Sequence, residues 1–180
     1  MSAKPRFIVV VCVCFFMMSL TSAFAGGNYA HKIDVKDMTF AWTIDGSNLN
    51  VQISAKTDAW VGIGFNPSEE MKGADFILGY VKGTEVTVSD QFGTSNYQHM
   101  EDKKLGGAEN VTDISGSEAD GVTTIGFTIP LKSGDDKDQA ISPTGDTTIL
   151  LAYGVGRDSF SSKHRFRTAL TVNLTTGAYK

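Results

Sequence analysis

The sequence predicts an all-β fold, an immunoglobulin-like antiparallel β-sandwich, and three observations carry that prediction. Nineteen glycines against four prolines punctuate many short runs of Val, Ile, Thr and Phe, residues that suit a pleated, half-buried surface. These runs recur about nine times at strand length. No window sustains an apolar period of three to four residues, which removes long helices. At 180 residues with 41% hydrophobic and 20% charged side chains, the composition is that of a globular chain with one domain.

The first 25 residues stand apart. Lys4 and Arg6 form a basic start, Phe7 to Met18 is an unbroken apolar run, and Ala23-Phe24-Ala25 supplies the small-x-small end. That order is a secretory signal peptide cleaved after Ala25, and the apolar run is shorter than the ~20 residues of a spanning helix. Cleavage leaves residues 26–180 as one domain without a membrane span and places it in the periplasm or outside the cell. Cys12 and Cys14 depart with the signal. The remaining chain therefore has no disulfide, thiolate metal site or Cys-x-x-Cys-His haem attachment.

The expected strands are Lys32–Val35, Met38–Ile44, Leu49–Ala55, Ala59–Phe65, Asp75–Val81, Glu85–Ser89, Val122–Ile129, Thr147–Val155 and Arg167–Leu174. Asp45-Gly46 and Lys82-Gly83 mark tight hairpins, and Asp120-Gly121 marks a further turn. Pro67–Met71 has room for one short helical turn. Gln91–Thr112 is polar, contains Gly106-Gly107, and reads as a surface loop. Asp135-Asp136-Lys137-Asp138 lacks calcium-loop spacing and reads as a solvated turn.

Charge excludes one large class of function. With 20 acidic against 16 basic side chains and no long Lys/Arg run, the chain is not a nucleic-acid binder. Gly-x-Ser-x-Gly, His-Glu-x-x-His and Gly-x-x-x-x-Gly-Lys are all absent from the sequence, so no common hydrolase, metalloprotease or phosphate-loop chemistry is encoded. The reading is a protein that is not itself an enzyme.

Soft and imidazole ligands are few after the signal: Met38, Met71 and Met100, with His31, His99 and His164. Met38 opens an apolar strand and belongs to the core, while His31 sits near the new N-terminus. His99-Met100 falls in the polar 91–112 stretch. Met71 and His164 each lie in a loop between two apolar strands, where a rigid sandwich positions a side chain.

Ala59-Trp60-Val61-Gly62-Ile63-Gly64-Phe65-Asn66 followed by Met71-Lys72-Gly73-Ala74-Asp75-Phe76-Ile77-Leu78-Gly79-Tyr80-Val81 resembles the central signature of DOMON domains. Val88-Ser89-Asp90, then Phe127-Thr128-Ile129-Pro130-Leu131 with Asp135 to Asp138, and finally Ile149 to Gly154 with His164 and Arg167, are similar to its later blocks. The resemblance spans roughly residues 30 to 177. It implies the sandwich fold and, in members similar to the cytochrome domain of cellobiose dehydrogenase, a non-covalent haem b held by a Met and a His. Those ligand positions fall on Met71 and His164. A related branch uses Lys in place of His, which puts Lys163 beside His164 as the other candidate.

Around these ligands, Trp60, Ile63, Phe65, Phe76, Leu78 and Phe166 are expected to supply an apolar slot. Lys163, Arg165 and Arg167 form the most basic short stretch and suit the haem propionates. The implied function is an extracytoplasmic b-type cytochrome carrying single electrons to or from a redox partner protein. Two other readings stand beside it. One is a carbohydrate- or ligand-binding DOMON module using Trp42, Phe92 or Tyr97; the other is an accessory subunit of a larger oxidoreductase.

Overall fold

The computed structural model describes residues 28–180. The signal segment and both cysteines lie outside the described residues. Eleven strands form two antiparallel sheets. They are β1 (His31–Val35), β2 (Met38–Asp45), β3 (Asn48–Ala55), β4 (Val61–Phe65), β5 (Asp75–Lys82), β6 (Glu85–Ser95), β7 (Gln98–Glu101), β8 (Thr112–Ala119), β9 (Val122–Pro130), β10 (Asp146–Tyr153) and β11 (Phe166–Asn173). One sheet runs β1-β2-β3-β9-β8, the other β11-β10-β4-β5-β6-β7. The expected β-sandwich is what the chain forms.

Period-two alternation drives the packing. Phe40 and Trp42 of β2, Val51 and Ile53 of β3, and Ile125 and Phe127 of β9 turn inward from one sheet. Ile63 and Phe65 of β4 with Ile149 and Leu151 of β10 meet them from the other. Each such side chain removes enough apolar area to contribute about 1.5–3 kcal/mol, so the core needs no disulfide. Trp42 also locks the layers together, its Nε1–H donating to the Leu174 carbonyl at 2.9 Å.

Hairpin chemistry fixes register. Asp45 pairs with Asn48 across a Gly46-Ser47 turn, with Gly46 at φ 57°. Lys82 pairs with Glu85 around Gly83-Thr84, so the turn is one residue later than the Lys82-Gly83 reading. Ala119 pairs with Val122 across Asp120-Gly121, both at positive φ, the conformation that two-residue hairpin turns require.

Three expectations need correction. The 91–112 stretch is not a loop throughout: β6 continues to Ser95, β7 follows, and Asp102–Leu105 makes one 3-10 turn. β8 was not expected at all. Pro67–Met71 is not helical; its end is a tight turn closed by Lys72 N–H to the Glu69 carbonyl at 2.8 Å. Among the described residues, no helix is long and apolar enough to cross a membrane.

Candidate functional site

The outer face of the six-stranded sheet carries a cavity of about 860 Å³, within the ~300–1,000 Å³ span of ligand sites. Its floor is apolar and comes from alternate residues of three strands. Phe76 and Leu78 of β5, Gly62 of β4, and Leu150 and Ala152 of β10 face it, while their neighbours Ile63, Ile77 and Leu151 enter the core. Gly62 and Gly64 make this floor possible. A Cβ on Gly62 would overlap Leu78 Cδ2, and one on Gly64 would come within 2.7 Å of Phe76 Cδ1. The bare β4 backbone thus lets two large side chains lie across it.

Met71 enters from the loop between β4 and β5. That loop is a tightly bonded knot: Ser68 N–H donates to the Lys72 carbonyl at 2.8 Å, and Gly73 N–H to the Gly93 carbonyl at 2.8 Å. Gly93 returns a bond to the Ala74 carbonyl at 2.8 Å. Asn66 anchors the loop's start, its Oδ1 accepting from Thr148 N–H and its Nδ2 donating to the Ala140 carbonyl, both at 3.1 Å.

His164 enters from the opposite wall, in the segment between β10 and β11. Trp60 organises that segment through Nε1–H to Ser162 Oγ at 2.8 Å, and Ser162 Oγ–H donates onward to the Ser159 carbonyl at 2.7 Å. Arg165 N–H then rejoins the sheet at the Tyr153 carbonyl. Burial, then the neighbouring Arg167 and Lys163 charges, hold the His164 imidazole below its usual pKa. A neutral ring keeps the lone pair that a metal ligand needs.

Met71 and His164 line the same cavity, together with Trp60, Phe76, Leu78, Lys163 and Arg167. Ile63, a core residue, also borders the cavity, and the other expected site residues are elsewhere. Phe65 is fully buried between the sheets, because β4 alternation sends odd positions inward. Phe166 packs against Tyr153 at 5.5 Å between ring centres, with Lys36 Nζ 5.0 Å from its own ring centre. Arg165 is exposed and does not line the cavity. Of the aromatics suited to a sugar site, Trp42 is core and Phe92 is half-buried, with Lys137 Nζ 5.8 Å from its ring centre. Tyr97 alone is at the cavity, at its exposed rim.

Two further potential ligands were missed. β7 carries His99 and Met100 to the cavity. His99 lies 5.7 Å from the Phe76 ring and bonds through Nδ1 to Gln91 Oε1, while Gln91 Nε2–H donates to Ser89 Oγ at 2.9 Å. Burial lowers the His99 pKa. Nothing in the local sequence flags this pair, because β7 exists only through its pairing with β6.

Comparison with known proteins supplies the family. The DOMON domain model matches residues 34–154. The chain belongs to the DOMON family. By structure it is similar to the cytochrome b domain of pyranose dehydrogenase from Coprinopsis cinerea, with TM-score 0.57 and 12% identity over 80% of this chain and 82% of that one. It is likewise similar to the cytochrome domain of cellobiose dehydrogenase from Myriococcum thermophilum, with TM-score 0.54 and 12% identity over 82% and 83%. These likenesses are of fold. In sequence, 67 residues are 33% identical to MOXD1 homolog 2 of Drosophila melanogaster, covering 37% of this chain and 9% of that protein's length.

The donor set fits a porphyrin iron. The cavity offers an apolar floor, thioether and imidazole donors on facing loops, and Lys163 and Arg167 beside His164. Thioether and neutral imidazole are the axial ligands of low-spin cytochromes, and basic side chains suit the propionates.

Proposed function

We propose that this protein is an extracytoplasmic b-type cytochrome that carries single electrons through a non-covalent haem b held by Met71 and His164. The supporting observation is that both side chains line one apolar cavity from different loops, with the His164 ring kept neutral. When bound there, the haem would supply reversible one-electron chemistry at iron.

The rest falls to the chain's own residues. Met71 and His164 would hold the iron and leave no position on it for oxygen or peroxide, and a thioether donor would favour the reduced state. Phe76, Leu78 and Leu150, which line the cavity, would exclude water from a bound porphyrin, and Lys163 and Arg167 would pair with its carboxylates. Held in this way, the haem would make the protein a carrier rather than a catalyst. Its partner is a redox protein that approaches the cavity rim, where Tyr97 is 78% exposed and Met100 43% exposed. Secretion to the periplasm or outside the cell follows from the signal sequence.

The deciding experiment is the absorption spectrum of protein secreted from its own signal, before and after dithionite. A Soret band with a sharp ferrous α band and a haem b pyridine haemochrome is expected. In Met71→Ala the ferrous α band should broaden toward a high-spin form, whereas His99→Ala should keep the parent spectrum. Absence of a Soret band even after haemin addition overturns the reading and leaves sugar binding at Tyr97 as its successor.

A further inference from the structure

On the interior side of the same strands that floor the cavity lies a cluster of buried carboxylates. Asp75 opens β5 and pairs in register with Phe65 and Phe92; Asp90 of β6 stands opposite Ile77, a core residue. Asp138 arrives from the segment between β9 and β10. Carboxylate oxygens of these three residues all lie within 4.8 Å of one another. Asp102, the first residue of the 3-10 turn, has Asp90 and Asp138 as charged neighbours.

The cluster has no internal counter-charge. The described residues form four ion pairs, Lys32 with Asp34, Lys103 with Glu109, Lys104 with Glu101 and Lys180 with Asp146, and none involves these aspartates. Asp75 and Asp90 are each 5% exposed and Asp102 1%. Oδ1 of Asp75, Asp90 and Asp138 and both oxygens of Asp102 have no hydrogen-bond partner. A carboxylate oxygen stripped of water and left without donor or cation is strongly unfavourable, and here those of Asp75, Asp90 and Asp138 converge, with the two of Asp102 nearby.

One residue orients the group. Asn110 N–H donates to Asp90 Oδ2 at 3.0 Å, and Asn110 Nδ2–H donates to Asp138 Oδ2 at 2.7 Å. On both aspartates the outer oxygen is thereby held and Oδ1 is left free. Asp135 plays a different part: its carboxylate accepts from the Ala108 and Lys137 N–H groups, which ties the 107–110 and 135–138 segments together.

We propose that Asp75, Asp90, Asp102 and Asp138 bind one hard divalent cation, calcium by their chemistry, which ties β5 and β6 to the 3-10 turn and to the β9–β10 segment. Every donor is an oxygen, with no thiol or imidazole in the cluster, which disfavours zinc and copper. Calcium–oxygen distances of about 2.3–2.6 Å put opposing ligands up to ~5 Å apart, the spread that the Asp75, Asp90 and Asp138 oxygens show. Asp102 and Asp138 lie on irregular backbone, and flexible coordination favours calcium over the stricter octahedron of magnesium. Without the cation, burial first and the neighbouring aspartates next raise the Asp102 carboxyl to about 8, which measures how ill-suited this space is to bare charge. The site stands apart from the haem reading and does not depend on it.

The test uses the secreted protein, stripped with EGTA and free of haem, titrated with calcium chloride by calorimetry and followed by its melting temperature. Expected are one calcium bound per chain and a rise in Tm that EGTA reverses, with magnesium weaker. Asp138→Asn should reduce calcium affinity about tenfold or more, and the same replacement at Asp136, which is exposed and outside the cluster, should leave it unchanged. If an Asp138 variant does not fold, the wild-type titration still decides. No heat and no Tm response in wild type, or a response unaltered in Asp138→Asn, overturns the proposal.

Discussion

The carbonyl oxygen of Met71 occupies the place where a side chain on Gly93 would begin: a Cβ at 93 would overlap it and come within 3.2 Å of Ala74 N. The β4–β5 loop is therefore seated directly on β6, and the position of the Met71 side chain depends on a residue 22 places further along the chain.

Gly93→Ala should lift this loop. Overpacking of this kind costs typically about 1–3 kcal/mol, read as a lower urea midpoint. The same variant should weaken haemin uptake, followed by Soret titration, even though Met71 is intact.

Gly62→Val places methyl groups where Leu78 Cδ2 and the Trp60 ring edge now lie. Core packing is on the other face of β4, so stability should fall modestly while the cavity floor is displaced. The expected result is a folded protein by circular dichroism with greatly reduced haemin affinity.

The acidity of His99 gives a pH dependence with a definite sign. Burial beside Phe76 and Gln91 lowers its pKa below 6.5. Between that lowered value and 6.5, the unfolded chain binds more protons at this site than the folded one, so its contribution to stability falls as pH falls. Urea melts across pH 5 to 7 should show a shallower slope in His99→Gln than in the parent.

Calcium removal should loosen particular segments rather than the whole domain. Hydrogen exchange in EGTA should accelerate in residues 102–110 and 131–141 and leave β2, β3 and β9 protected, since only the former are joined through the aspartates.

Trp60→Phe removes the bond to Ser162 that fixes the segment carrying His164. Loss of one such side-chain bond costs about 0.5–1.5 kcal/mol. The spectral signature of His ligation should become heterogeneous while Met71 contacts persist.

Central strands were legible in the sequence because each buries one face. Thr147 to Tyr153 alternates visibly, and the structure buries positions 147, 149, 151 and 153. The edges were not. β8 reads Thr-Asp-Ile-Ser-Gly-Ser-Glu-Ala and no residue of it is fully buried, so it carries no apolar period. β6 was ended too early because Asp90 and Gln91 are polar yet buried, Asp90 beside aspartates from distant segments and Gln91 under His99 of β7. Met71 and His164, which line one cavity, stood out in the sequence as a loop Met and a loop His between apolar strands, and the family pattern paired them. His99 and Asp138 were hidden because a neighbouring strand and a folded loop, rather than local sequence, give them their surroundings.

The strand pair β5–β6 carries opposite chemistry on its two faces at a spacing of one residue: Asp75 and Asp90 inward, Phe76 and Gln91 outward. A single-residue insertion at the Gly83-Thr84 turn would slide β6 by one position and turn a carboxylate into the apolar floor and an amide into the acidic pocket. Both faces reject that frame. Length change is thus forbidden at this hairpin even where individual side chains can be exchanged, whereas the Asp120-Gly121 turn, which follows the edge strand β8 with no fully buried residue, is the place where loop length has freedom to drift.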